Sequence, residues 1–250
     1  MKRIIFSILA VFLVVQVYAS NITDPFFMPG KRTFVSDTSI NFTNNALRLG
    51  KSWGFGEVIT YGLEDNLSLS LGLGWAKIKH AKSGLQDPVF AARYRLVEEA
   101  AGGLMLDVKG YLSPSIFNSP LNNDGGAAKG SFDTGAALIV GSREWFANTL
   151  LWAEGSLDYI GSTDLTKSGT ALGLALNAKY YMDESNSLGA GLFTKGYFGF
   201  GDNFNGFGIK FDYARLLQDN IALIPYLSFE SHNKNISTEV KYGLTARITF

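Results

Sequence analysis

Apolar and polar residues alternate one for one along most of this chain. That period of two restricts the backbone to extended strands with one greasy and one polar face. In 67–75, Leu67, Leu69, Leu71, Leu73 and Trp75 point one way, while Ser68, Ser70, Gly72 and Gly74 point the other. The final stretch repeats the pattern: Val240, Tyr242, Leu244, Ala246, Ile248 and Phe250 share one side, and Lys241, Gly243, Thr245, Arg247 and Thr249 the other. The same alternation marks strands near 89–96, 104–112, 132–140, 150–159, 170–180, 188–198, 207–213 and 221–229.

In these segments every charged residue falls on the second face. A charge facing hydrocarbon near the bilayer midplane costs about 2–4 kcal/mol, so a lipid-facing surface would select this segregation. A soluble β-sandwich also alternates, but its strands run to about 5–6 residues. These segments are roughly as long as the ~9–11 residues that cross a bilayer at a tilt. The expectation is an all-β, transmembrane antiparallel barrel, closed because open sheet edges cannot be satisfied in lipid.

Eleven strands are clear, and a weakly patterned one lies near 33–42. Even strand numbers are usual for such barrels, which favours twelve. Short periplasmic turns are expected at 64–66, 97–103, 141–149, 181–187 and 214–220. Longer outward loops fall at 43–54, 76–88, 113–131, 160–169, 199–206 and 231–237. One strand resists: in 53–63, Phe55, Ile59, Tyr61 and Leu63 share a parity that also places Glu57 in lipid. Either Gly54 or Gly56 marks a bulge that resets the register, or Glu57 lies above the apolar band.

The first nineteen residues have the layout of a cleaved signal peptide: Lys2 and Arg3, an apolar run from Ile4 to Val17, and Ala19 at the cut. An uncleaved anchor is the alternative, but the run is shorter than the ~20 residues a helical span needs. Cleavage leaves 231 of the 250 residues, divided into an N-terminal periplasmic or plug segment, 20–32, and a barrel, 33–250. Without Lys2 and Arg3, the 22 basic groups fall to 20 against 22 acidic ones, which gives no basic surplus for nucleic acid. Cysteine is absent, so no disulfide frame or thiolate metal site is available.

Aromatic residues gather at strand ends, where the headgroup level suits an amphipathic ring. Tyr61, Tyr94, Tyr180, Tyr213 and Phe250 are candidates for a periplasmic girdle. Trp53, Phe55, Trp75, Phe132, Tyr159, Phe207 and Phe229 are candidates for an outer one. The inward face is expected to carry Arg93, Arg95, Asp107, Lys109, Glu154, Asp158, Lys179, Lys195, Lys210, Asp212, Glu230, Glu239, Lys241 and Arg247. Eight of these are basic and six acidic, so no single sign predicts a strongly ion-selective pore. Twelve strands lie between the eight that side chains fill and the 16–18 that leave an open channel. Phe26, Phe27, Met28 and Pro29 are placed to plug the lumen partly from the periplasm.

The ending Tyr242-Gly-Leu-Thr-Ala-Arg-Ile-Thr-Phe250 resembles the C-terminal signal by which outer-membrane barrels engage their assembly machinery. A longer stretch is similar to the MetA-pathway-of-phenol-degradation family: Tyr61-Gly-Leu-Glu-Asp, the strand to Leu73, Gly84-Leu-Gln-Asp-Pro, and Ala91-Ala-Arg-Tyr-Arg-Leu96. The likeness covers 61–96. Glu64 stands where the family usually has Thr, and Ser113-Pro-Ser replaces its Pro-Thr-Gly turn. It implies an outer-membrane barrel of a group described as transporters of small, often hydrophobic or aromatic compounds.

Chemistry is sparse. His80 and His232 are the two histidines, too far apart in sequence for a metal site, and no cofactor is expected. Glu230-Ser231-His232 offers the pieces of a rim hydrolase, yet neighbours on a strand point apart. The Gly-rich runs precede no helix and are not phosphate loops. The leading expectation is passage of a small solute through a barrel bedded in outer-membrane lipid and lipopolysaccharide. The alternative is a closed structural or adhesion barrel that uses loop 113–131 and its Asn122-Asn-Asp-Gly-Gly tip.

Overall fold

A computed structural model describes residues 22–44, 51–79, 83–100, 103–117, 130–162, 167–200, 203–233 and 238–250. Residues 1–19, read as a signal peptide, lie outside the described residues, as do His80 and most of loop 113–131. Twelve strands form: β1 Phe34–Asn44, β2 Ser52–Glu64, β3 Leu67–Ile78, β4 Ser83–Ala100, β5 Leu104–Ser113, β6 Asp133–Phe146, β7 Thr149–Ile160, β8 Gly169–Tyr181, β9 Asn186–Phe198, β10 Phe204–Gln218, β11 Ile221–His232 and β12 Glu239–Thr249. Each pairs antiparallel with its neighbours in sequence, and β1 pairs with β12 from Val35↔Thr249 to Asn44↔Val240, which closes the barrel.

Closure removes the two sheet edges that lipid could not satisfy. The outer wall is a belt of exposed large apolar side chains, including Leu69, Leu71, Leu73, Leu172, Leu174, Leu176, Leu188 and Leu192. So continuous a belt far exceeds the few hundred Å² that soluble proteins tolerate, and hydrocarbon is its natural solvent. The molecule is therefore a closed transmembrane β-barrel.

The strands are longer than alternation alone indicates. β4 begins at Ser83, inside the expected loop 76–88; β6 runs on to Phe146 and β10 from Phe204 to Gln218. The expected turns 97–103, 141–149 and 214–220 shrink accordingly, the second to Ala147-Asn148 with Asn148 at φ 56. Beyond the apolar belt both faces meet polar surroundings. Backbone pairing continues there with no hydrophobic period to reveal it.

Glu57 obeys neither expectation. Register is regular from Ser52↔Ile78 to Gly62↔Ser68, with the irregularity between Gly62 and Glu64, so Gly54 and Gly56 mark no bulge. Nor does Glu57 lie above the belt. It opposes Leu73 on one side and Thr38 on the other, midway between Trp53 and Tyr61 along the outward face. The hydroxyls of Ser36 and Thr38 donate to its carboxyl, partners that hydrocarbon cannot supply.

The aromatic residues singled out from the sequence lie toward the two ends of the strands. At the end of the barrel where β1 begins and β12 ends, Phe34 meets Tyr61 with ring centres 4.7 Å apart, Phe250 is exposed beside β1, and the Tyr213 hydroxyl bonds Asn186 at 2.5 Å. Tyr94 and Tyr180 lie on the outward parity of β4 and β8. At the opposite rim Trp75 packs on Trp53 and Phe55, at 5.0 and 6.0 Å. Phe132, Tyr159, Phe207 and Phe229 are exposed there.

Candidate functional site

Residues 22–30 run across the inside of the barrel before the chain reaches β1. Ile22, Thr23, Asp24, Phe26 and Met28 are all buried. Asp24 makes the local turn: its Oδ1 accepts from the Phe26 N–H at 2.7 Å, and its carbonyl from Phe27 at 3.0 Å. The strap leaves the lumen past Gly62, where a Cβ would collide with the Pro29 and Gly30 carbonyls, so only glycine lets the two backbones approach. At this exit, outside the spanning region, Lys31 pairs with Glu64 at 2.7 Å. That hydrogen-bonded carboxylate raises the ammonium's pKa above its ordinary value.

Five cations from four parts of the wall grip the strap. Arg247 Nη1 donates to the Ile22 carbonyl at 2.7 Å, Lys179 Nζ to Thr23 at 2.8 Å and Arg93 Nη2 to Pro25 at 3.0 Å. Arg95 Nη2 donates to the Phe26 carbonyl. Arg143 Nη2 reaches Asp24 Oδ2 at 2.7 Å, and the Tyr181 hydroxyl donates to the same oxygen at 3.0 Å. Phe26 is the apolar anchor, packed with Met105, Ile139, Leu150 and Tyr181, and the Arg93 guanidinium lies 5.8 Å from its ring centre. Most of these cations are themselves held by wall carboxylates. Fully buried Asp107 takes both Arg93 and Arg95, Asp37 takes Arg247 at 2.6 and 2.8 Å, and Asp212 takes Lys179 at 3.4 Å.

Above the strap lies a cavity of about 350 Å³ with Phe27 and Pro29 in its lining. Thr60, Ser68, Ser70, Gly72, Val89 and Ala91 form the side toward β2, β3 and β4, with the Thr60 and Ser70 hydroxyls 2.9 Å apart. Asp37, Arg93, Lys109, Glu154 and Arg247 supply its charge. Among the described residues, Lys109 and Glu154 make no ion pair, and neither does Lys210, whose stem passes Gly191 and Asn177.

Toward the outer mouth, Asp158 accepts from Lys195 at 2.7 Å and from the Tyr111 hydroxyl at 3.0 Å. Glu230 and Glu239 oppose each other across β11 and β12. His232 Nε2 lies 3.0 Å from Glu230, and Lys241 2.5 Å from Glu239. Register sets all fourteen charged residues singled out from the sequence on the parity opposite the leucine belt. His232 opposes Gly206 and Ser231 opposes Phe207, so the two fall on opposite faces and form no nucleophile–base pair.

Sequence reasoning missed Asp24, Asp37, Arg143, Tyr181 and Asp87. Asp37 sits in the weakly patterned first strand, where its parity was the available signal. Arg143 lies where apolar alternation has ended. Asp87 closes the Gly84-Leu-Gln-Asp run: its carboxylate accepts from the N–H groups of Ile116, Phe117 and Gly130 at 2.8, 2.9 and 3.1 Å. It thereby clamps both ends of the long loop, whose residues 118–129, with the Asn122–Gly126 tip, lie outside the described residues.

No protein-family model and no curated relative matches the chain by sequence. Among solved structures, an outer membrane channel from Pseudomonas putida F1 superposes with a TM-score of 0.71 at 13% identity, over 91% of this chain and 99% of that one. The NanC porin gives 0.61 at 6% identity, covering 85% and 98%. The KdgM porin gives 0.56 at 11%, covering 86% and 99%. At such identities the likeness is one of fold.

Proposed function

We propose that this barrel passes a small polar or charged solute across the outer membrane, with residues 20–32 acting as a plug that narrows the periplasmic half. One observation carries the reading: a cavity of about 350 Å³ inside the wall, bounded by the strap and lined by hydroxyls and five charged side chains. A barrel serving only as a rigid surface scaffold needs no such space and gains most by filling it. Lys109 and Glu154 offer a solute one group of each sign that the wall leaves unpaired. The charge in this lining favours a polar solute over the hydrophobic or aromatic compounds implied by the resemblance in 61–96.

Residues 1–19 are, in this reading, removed on export, so the strap begins close to the mature terminus. The strand ending at Phe250 presents itself to the assembly machinery. Liposomes carrying the purified protein should swell in isotonic solutions of small sugars, amino acids or carboxylates faster than empty ones. Vesicles that stay tight to every solute, with the barrel shown folded in them, would reject the proposal.

A further inference from the structure

A second cavity, of about 440 Å³, lies on the outward side of the wall at the outer ends of β12, β1, β2 and β3. Its lining combines Lys51, Lys77 and Lys79 with Phe42, Trp53 and Tyr242. We propose that it is a binding site for the phosphate-bearing headgroup of an outer-leaflet lipid, at a fixed place on the barrel's outward wall.

Register converges these residues on one patch. Phe42 opposes both Tyr242 and Trp53, and Trp53 opposes Lys77, all on the parity of the leucine belt. The Lys79 N–H donates to the Lys51 carbonyl at 2.7 Å, which brings the other two lysines alongside. Among the described residues no carboxylate lines the cavity, and none of the three ammonium groups has an ion-pair partner. Three like charges gathered without a counter-ion destabilise a protein unless an anion joins them.

Height decides which anion. Lys77 follows Trp75 by two residues, about 7 Å along the strand, and tryptophan marks the headgroup level. The ammonium groups therefore stand where lipid phosphates are. Directly beneath, Phe42 stacks on Tyr242 at 5.2 Å and Trp53 meets Trp75 at 5.0 Å, an aromatic wall for the first carbons of the acyl chains. A soluble phosphate would use the lysines and leave that wall idle. At the outer end of the other described strands, no outward position carries Lys or Arg.

The test uses the folded barrel in detergent, with diphosphoryl lipid A as probe and native mass spectrometry to count bound lipid. One molecule should be retained. Joint Lys51→Gln, Lys77→Gln and Lys79→Gln substitution should weaken it roughly a hundredfold, at roughly fivefold per lysine near a charged lipid surface. Lys167→Gln, an exposed control, should change nothing. The three lysines are exposed, so an unchanged unfolding temperature is expected and confirms that the variant is folded. Equal affinity of the variant, or of dephosphorylated lipid A, would overturn the proposal. Displacement of the lipid by millimolar inorganic phosphate would equally overturn it, by making the site one for free phosphate.

Discussion

In the proposed channel, Asp24→Ala should turn a mostly closed strap into one open for much of the time. Four carbonyls of the strap accept from cations, each worth about 1.5–3 kcal/mol, or roughly 6–12 together. Burying Phe26 adds about 1.5–3 kcal/mol. Against this, ordering Ile22–Met28 costs about 1–2 kcal/mol per residue, roughly 7–14 in all. These terms nearly cancel, which leaves the Asp24 carboxylate to decide. At 1% exposure, with Arg143 at 2.7 Å and Tyr181 at 3.0 Å, it is a buried pair whose breakage costs about 3–5 kcal/mol. Losing even 3 kcal/mol raises the ratio of open to closed more than about a hundredfold, from about 1% open to about half. Single-channel recording in planar bilayers reads this as open probability. Adding Arg143→Ala to Asp24→Ala should cost less than the sum of the two single changes, because the two residues share the Asp24–Arg143 pair. If Asp24→Ala leaves conductance and open probability unchanged while the barrel remains folded, the strap does not control passage.

Other outcomes follow from the same geometry. Lys109→Glu makes the two unpaired cavity charges both negative, so reversal potentials in a salt gradient should move toward cation preference, and Glu154→Lys should move them the other way; no movement would place the conduction path elsewhere. Asp87→Ala releases three N–H groups at the ends of loop 113–131, so protease should cut that loop several-fold faster on intact cells, and an unchanged rate would refute the clamp. In the β8–β9 turn, the Ser185 N–H, and after it the Asn186 side chain, hold the Asp183 carboxyl below its ordinary pKa. Because the folded pKa is depressed, its contribution is present above about pH 4 and lost as pH falls through the folded value. Asp183→Ala should therefore destabilise the barrel at pH 7, and the difference from wild type should vanish in acid.

How far the sequence reached differs by feature. Leu67–Trp75 reads as an outward belt because every second position must tolerate hydrocarbon, and the structure follows it residue by residue. Glu57 defeats the same rule. Its cost is offset by Ser36 and Thr38 on another strand, about twenty residues away, and periodicity within one strand carries no information on a neighbour's hydroxyls. Arg143 shows the converse limit, since alternation ends before the strand does. The resemblance in 61–96 singled out Gly84-Leu-Gln-Asp as a motif, yet the work of Asp87 is visible only where 116–117 and 130 return to it.

The amino-acid order alone determined that this chain forms strands, that they number about twelve, and which way the side chains of the clearly alternating segments point. These follow from the period of two and from the cost of charge in lipid, both local and additive. Height and partnership were decided by tertiary structure. Ile22 meets Arg247 and Asp24 meets Tyr181 across separations of 225 and 157 residues, and the three rim lysines converge from two strand ends only once register is set. Parity names a face, but closing the barrel is what brings distant residues of one face to the same level, and the strap, the cavity and the lysine patch all arise there.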